Sequence, residues 1–421
     1  MNKETHMTGS APEPRLLDRS DTRVKHASSV SEVVGAFIER VKAGDLGSLP
    51  VIVGLLVIWT VFTTLNPLFV TPNNLVNLLF DCSTVGIISL GIVCVLMLGE
   101  IDLSVGSMSG VGSALIGVLW VNQGVPLPLA ILAALSTGAV IGAVYALLRT
   151  HLGMPSFVST LAGLLALLGL QLYMLGSTGS INLPYGSAMV NFGQLLMMPD
   201  WFSHLVALLP GISILLMGLK TRAQRQAASL SAGSIGGLLV KALLTTLAFE
   251  AAVFYLNLGR GVPWMFGLFA LLVIAMNYLF TRTRWGRSVK AVGGNAEAAR
   301  RAGINVTHTY LTSFALCSLL AALGGVLSSA RLASASQQAG TGDVNLNAIA
   351  AAVIGGTSLF GGRGSAWSAL LGIIVIQSIS NGLTLLNMSS SLRYMITGCV
   401  LAIAVIVDSL ARQSRVSHGR A

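Results

Sequence analysis

Neither 103–148 nor 150–199 contains a single Asp, Glu, Lys or Arg, and further charge-free runs cover 46–80, 82–99, 201–219, 261–281, 302–330, 344–362 and 364–392. A soluble fold must cover its surface with polar groups. Here 10% of residues are charged and 54% hydrophobic, where soluble domains carry about 25% charged residues. The same composition excludes a disordered chain. Crossing a bilayer takes about 20 apolar residues, so each run holds one span or more.

The longer runs carry their own breaks. Asn66-Pro67 and Thr71-Pro72 interrupt the first, Asn122-Gln123-Gly124 and Pro126 the 103–148 run, and Gly176 to Gly186 with Pro184 the 150–199 run. Spans are expected near 48–65, 78–98, 104–121, 127–148, 157–175, 203–219, 237–257, 263–280, 310–330, 345–360, 366–386 and 392–409. The expected fold is an all-α polytopic membrane protein with roughly ten to twelve transmembrane helices and broken or re-entrant segments. The segment 345–360 is rich in Ala and Gly, and 78–98 carries Asp81, so these two are the candidates for incomplete crossings.

Residues 1–45 hold seven basic and seven acidic side chains, so the net charge of +10 comes from the rest of the chain. Those basic residues sit in short connections between apolar runs, which is membrane topology and not a nucleic-acid footprint. Arg149, then Lys220, Arg222 and Arg225, then Arg282, Arg284, Arg287, Lys290, Arg300 and Arg301 fall on alternate connections. Cytoplasmic loops hold the excess of Lys and Arg, so both termini and the loop 281–309 are expected on the cytoplasmic side. Three regions follow: a polar cytoplasmic tail 1–45, a membrane domain 46–410 and a basic cytoplasmic tail 411–421. Within the first tail, Val30, Val33, Val34, Phe37, Ile38 and Val41 share one helical face after a Ser29-x-x-Glu32 capping box. An interfacial helix over 30–42, or one packed on protein, is expected.

The loop 281–309 contains a short helix with its own caps. Asn295 suits the N-cap, Glu297 the positive helix end, Arg300 and Arg301 the negative end, and Gly303 a left-handed residue beyond it. So short a helix does not persist alone, so it either docks on something or is an ordinary connector. Glu297-Ala298-Ala299-x3-Gly303 resembles the EAA-x3-G coupling motif of ABC importer permeases. Gly293-Gly294-Asn295-x-Glu-Ala-Ala-x3-Gly-Ile-Asn-Val306 is similar to that of the ribose/xylose/galactose branch, as are Gly99-Glu-Ile-Asp-Leu-Ser-Val-Gly-Ser-Met108 and the Gly-rich stretch Leu346 to Ser365. Met154 to Gly163 and Arg260-Gly-Val-Pro263 look most like the D-xylose subfamily.

The resemblance implies a permease subunit of an ATP-driven monosaccharide importer, for D-xylose or a similar sugar, working by alternating access in a bacterial inner membrane. It implies a cytoplasmic ATP-binding subunit, a periplasmic sugar-binding protein and a second permease copy as partners, besides membrane lipid. Gly294, Asn295, Glu297, Ala298, Ala299 and Gly303 are the implied ATPase-coupling residues. Independently, none of the six lysines follows a glycine, so no GxxxxGK[ST] phosphate loop exists and the chain should not hydrolyse ATP. No cofactor or metal site is expected. The four cysteines form no CxxC pair.

Glu100, Asp102 and Ser104 are candidates for gating or pathway roles, because a carboxylate at the membrane must face water, protein or a partner. Alternatively Asp102 caps a helix starting near Leu103 or Ser104. Gly355, Gly356, Thr357 and Ser358 open a stretch too glycine-rich for regular helix, which reads as a pathway lining or hinge, or as a connector. Asp81 and Glu250 are acids inside expected spans. They allow a second reading, a proton-coupled secondary sugar transporter, against a bland one in which Asp81 sits near the interface and Glu250 hydrogen-bonds within the bundle.

Overall fold

The computed structural model describes residues 49–231 and 234–417. It divides into two compact units, one holding Asp200–Tyr255 and the other Leu46–Pro199 with Leu256–Ala421. Among the described residues the chain is almost wholly helical. Its helices are α1 (Leu49–Leu65), α2 (Pro72–Leu96), α3 (Val105–Leu115), α4 (Leu127–His151), α5 (Ser156–Leu175), α6 (Ala188–Gln194), α7 (Asp200–Ala227), α8 (Ile235–Asn257), α9 (Trp264–Arg282), α10 (Arg284–Gly294), α11 (Ala296–Arg301), α12 (Val306–Leu332), α13 (Val344–Ile354), α14 (Ala366–Leu385) and α15 (Ser390–Ser417). Nine of the described helical stretches are long and apolar enough to cross a membrane. The interfacial helix expected at 30–42 lies outside the described residues. The last helix runs through Ser417, across the boundary expected at 410.

The span expected at 48–65 is a shorter apolar helix outside those nine, and two further expected spans change. The span placed at 78–98 is a full helix from Pro72, because Pro at its first position fixes a helical φ and costs no hydrogen bond there. Asp81 does not break it: Arg331 Nε lies 3.1 Å from Asp81 Oδ1, and its guanidinium stacks 4.8 Å over the Phe80 ring. The span placed at 345–360 shrinks to α13, eleven residues, about 16 Å of helix and too short to cross.

α12 is the axis of the larger unit. α2, α3 and α4 pack along it through glycines: Gly91 against the Cys317 backbone, Gly112 against Ala322, and Gly138 and Gly142 against Ser318 and Phe314. Its 27 residues span about 40 Å, which makes it a ruler of depth. Glu100 meets α12 at Tyr310, near the end that carries the 281–309 loop. Asp102 meets it at Cys317, Ser109 at Gly325, and β2 (Ser334–Ser336) follows its far end. So 99–104 is a non-helical stretch running inward from the loop end, and α3 begins near mid-depth. It continues to Asn122 through a wider π-helical turn.

A matching break enters from the far end. β2 pairs antiparallel with β1 (Ser180–Asn182), Ile181 opposite Ala335. Residues 337–343 then descend along α3, with Gly340 against Gly106 and Ala339 against Gly110. α13 starts beside α3, where Asn345 Nδ2 donates to Leu103 O at 2.8 Å, and runs back toward the loop end. The Gly106/Gly110 pair thus makes room for the turns at Ala339 and Gly340, with Asn345 and the Gln171 side chain alongside.

In the smaller unit α7 and α8 form an antiparallel hairpin. Gly211 packs on Thr246 and Ala242, Gly218 on Leu238, and His204 Nδ1 lies 2.7 Å from Glu250 Oε2.

Candidate coupling and gating site

The helix pair α10–α11 is fixed to the bundle by aromatic packing. Thr283 caps α10, its Oγ1 accepting from Gly286 N at 3.2 Å. Trp285 stacks on Phe280 with centroids 5.5 Å apart, and its Nε1 donates to Thr312 Oγ1 at 2.8 Å, tying α10 to α12. α11 has the expected caps. Asn295 Oδ1 accepts from Ala298 N at 2.9 Å, and Gly303 takes a φ of +81°. Glu297 also pairs along the helix with Arg300 (2.9 Å) and Arg301 (3.2 Å). Ala299 faces inward, while Glu297, Ala298 and Arg300 are exposed. Gly294 and Gly303 border open space.

Beside this pair, three segments far apart in sequence meet in direct backbone contact. Gly99 (φ +77°) ends the turn after α2, Gly293 lies in the last turn of α10, and Gly361 (φ +81°) and Gly362 lie in the loop after α13. Gly362 N donates to Met97 O at 2.9 Å. A Cβ on Gly361 would stand 2.5 Å from Gly293 O and 2.8 Å from Gly99 N, and one on Gly293 would collide with Met97 O. Gly355 and Gly356 cap α13 at its C-terminal end, with Thr357 N donating to Ala352 O at 3.0 Å and Ser358 N to Arg363 O at 3.1 Å. This loop sits at the end of the bundle that carries 281–309, against α10, and not at mid-depth.

Glu100 is the next layer. Its Oε1 accepts from Arg149 Nε at 2.7 Å and Tyr310 Oη at 3.1 Å, and its Oε2 accepts from Ser156 Oγ at 2.5 Å. The Arg149 guanidinium also lies 5.7 Å over the Tyr310 ring. One carboxylate therefore joins the turn before α3 to the end of α4 and the starts of α5 and α12. The sequence offered one signal for this: Arg149 is the single charge between Leu103 and Pro199. Ser156 and Tyr310 gave none.

Asp102 is fully buried. Its Oδ1 accepts from Ser104 N at 2.8 Å and Ser104 Oγ at 2.7 Å, and Cys317 Sγ is 3.9 Å from Oδ2. It does not cap α3, which starts at Val105. It folds the two residues before the helix into an Asx turn. No cation bonds it among the described residues, so an acceptor oxygen is what the turn needs. Asp102→Asn keeps that oxygen and is expected to preserve thermal stability. Asp102→Ala strands two buried donors and is expected to cost about 1–3 kcal/mol, read as a lowered melting temperature in detergent.

The two acids inside spans both have partners, Arg331 for Asp81 and His204 for Glu250. Asn77 accepts from Arg260 at 2.5 Å and Arg331 at 3.4 Å, and Asn381 exchanges amide hydrogen bonds with Asn74. Sequence reading missed the Arg331 pairing, since 250 residues separate it from Asp81.

A family model described as branched-chain amino acid transport system / permease component matches residues 74–405. The xylose transport system permease protein XylH of Escherichia coli is 36% identical over 374 residues, 88% of this chain and 94% of that one. XylH of Haemophilus influenzae is 35% identical over 347 residues, covering 81% and 90%. The ribose import permease protein RbsC of Escherichia coli is 33% identical over 361 residues, covering 85% and 92%. No solved structure matches the chain significantly.

Proposed function

The chain belongs to the branched-chain amino acid transport system / permease component family, and from that premise we propose that it is the membrane subunit of an ATP-driven importer of a monosaccharide, with D-xylose the first to test. The observation carrying this reading is the meeting of Gly99, Gly293 and Gly361. It puts a capped surface helix pair in direct backbone contact with the ends of two broken helices. The relatives named for xylose and ribose transport support the substrate class.

In this reading the end bearing 281–309 is cytoplasmic, which its Arg and Lys content supports, both termini lie on that side, and the membrane is the bacterial inner membrane. A cytoplasmic ATP-binding subunit engages the exposed side of α11, Glu297, Ala298 and Arg300. A periplasmic sugar-binding protein delivers substrate at the far end, and a second copy of the chain completes the conduit. Movement of α10–α11 passes through Gly293 to the turn after α2 and to the loop after α13. Glu100 holds four elements in register until that movement strains its bonds to Arg149, Ser156 and Tyr310.

Reconstitution with candidate ATPase and binding-protein partners tests the reading. Uptake of labelled D-xylose should require the ATPase; uptake that continues without it removes the proposal. A proton-coupled mechanism is disfavoured by the pairing of Asp81 with Arg331 and of Glu250 with His204. A protonophore added to ATP-loaded proteoliposomes should leave uptake unchanged, and abolition of uptake would favour proton coupling.

Gly303→Val places a β-branched residue at φ +81°, costing about 1–2 kcal/mol locally. With open space around it, the damage is confined to the end of α11. The expected outcome is normal membrane insertion with ATP hydrolysis no longer matched by uptake, measured as the ratio of phosphate released to sugar accumulated.

A further inference from the structure

We propose that residues 337–343, the stretch of turns between β2 and α13, form the wall of the conduit that a neutral monosaccharide touches, with Gln338, Thr341 and Asp343 as its hydroxyl-binding groups. The sugar's identity rests on the reading above; the placement of the wall does not.

One side of the stretch is fastened to the bundle interior. Gly340, at φ +72°, lies on Gly106, whose Cβ position would be 2.5 Å from Gly340 O. The fully buried Gln171 of α5 donates Nε2 to Ala339 O and Ser336 O, both at 2.9 Å. The neighbouring Ser109 is level with Gly325 of α12, between the two ends of that helix, so Gly340 sits at membrane depth.

The other side is not covered. Gln338 and Gly342 are exposed, and Thr341 and Asp343 are partly so. Non-helical backbone facing hydrocarbon leaves peptide groups without partners, at several kcal/mol each. A carboxylate there adds about 2.5–3.5 kcal/mol on insertion scales. This face therefore meets water or a polar ligand and not lipid.

Its chemistry selects the ligand. A sugar hydroxyl both donates and accepts, which suits a carboxamide, a hydroxyl and a carboxylate close together in sequence; Thr341 Oγ1 donates to Gln338 O at 2.8 Å and keeps its acceptor capacity. Asp343 engages Asn347 Nδ2 through one oxygen, at 3.1 Å. The exposed ring of Tyr394 stands at the same place, its hydroxyl 3.4 Å from the Cβ position of Gly342, and offers a flat surface for the sugar's C–H face. Asp343 is the only charge between Leu332 and Gly362, so the wall favours a neutral polyol over an anion.

The test uses the full chain in its complex, in a Cys399→Ser background that removes the exposed thiol; Cys82, Cys94 and Cys317 are buried. Gln338→Cys and Thr341→Cys are treated with a membrane-impermeant, cationic methanethiosulfonate, beside Leu165→Cys on an exposed apolar face of α5. Both test positions should react at least tenfold faster than Leu165→Cys, and D-xylose presented with the binding protein should slow them severalfold. Gln338→Ala and Asp343→Asn should each raise the KM of uptake at least fivefold with a smaller change in maximal rate. Test positions as inert as Leu165→Cys, or cross-linking readily between two copies, overturn the wall, whatever uptake does. Reactive thiols with no sugar protection and an unchanged KM overturn its contact with sugar. Wild-type complexes that transport no sugar, with the thiols reactive, defeat the permease reading and leave the water-lined wall standing.

Discussion

Gly361→Ala is expected to abolish coupled uptake. Two effects act at one carbon. The backbone at φ +81° is unfavourable for any residue with a Cβ, costing about 1–2 kcal/mol. The added methyl also meets Gly293 O and Gly99 N at 2.5 and 2.8 Å, and both are backbone atoms that no rotamer change can withdraw. Overpacking of this kind costs about 1–3 kcal/mol. The loop after α13 and α10 must then part. ATP hydrolysis by the partner should continue while uptake falls at least tenfold, and the melting temperature of the subunit should drop. Gly169→Ala in α5 is the control: no atom lies within 4 Å of its Cβ position, so it should be neutral or slightly stabilising. Uptake by Gly361→Ala equal to wild type would show that the glycine contact carries no motion.

The second large effect belongs to Glu100. Its side chain is 12% exposed and that of Arg149 36%, so the ion pair is partly screened. Removing the carboxylate still leaves Arg149, Ser156 and Tyr310 without their common acceptor. Glu100→Ala is expected to cost about 1–3 kcal/mol and to reduce uptake at least tenfold. Glu100→Gln keeps an acceptor oxygen and should fall between. Combining Glu100→Ala with Arg149→Ala should do less damage than the two single effects added together, because both remove the same bond. Additive losses in stability and uptake would mean that the two side chains act independently.

Much of the architecture was legible because charge is so sparse. A charge-free run must either cross the membrane or turn, and Pro and Gly mark where it turns. The cap residues of α11 were equally readable, since Asn295 and Gly303 act over three or four positions. Depth was not readable. α3 and α13 are apolar and short, yet nothing in their periodicity says that each begins in the interior, because a helix buried on several sides has no polar stripe to mark its orientation. The descent of 337–343 was missed for a related reason: what holds it is a glycine pair on α3 and one buried Gln171, signals that look like ordinary helix packing. Long-range pairs such as Asp81–Arg331 carry no local mark at all. Of the coupling candidates, Glu297, Ala298 and Ala299 lie on one short helix with Asn295 and Gly303 at its two ends, whereas the pathway candidates Gly355 to Ser358 follow a helix end at the same side of the bundle.

The contact among Gly99, Gly293 and Gly361 has a mechanical consequence. A junction between side chains is compliant: a push is partly absorbed as torsions rotate from one staggered well to another. Backbone resting on backbone has no side-chain rotamer to absorb the push, so only the φ and ψ of the chain itself can yield. In the proposed mechanism, a displacement of α10 would be felt directly by the turn before α3 and the loop after α13. Such a joint trades adaptability for fidelity, and it transmits in both directions. In the proposed mechanism, force arriving from the transport side would reach α11 as directly as force leaving it.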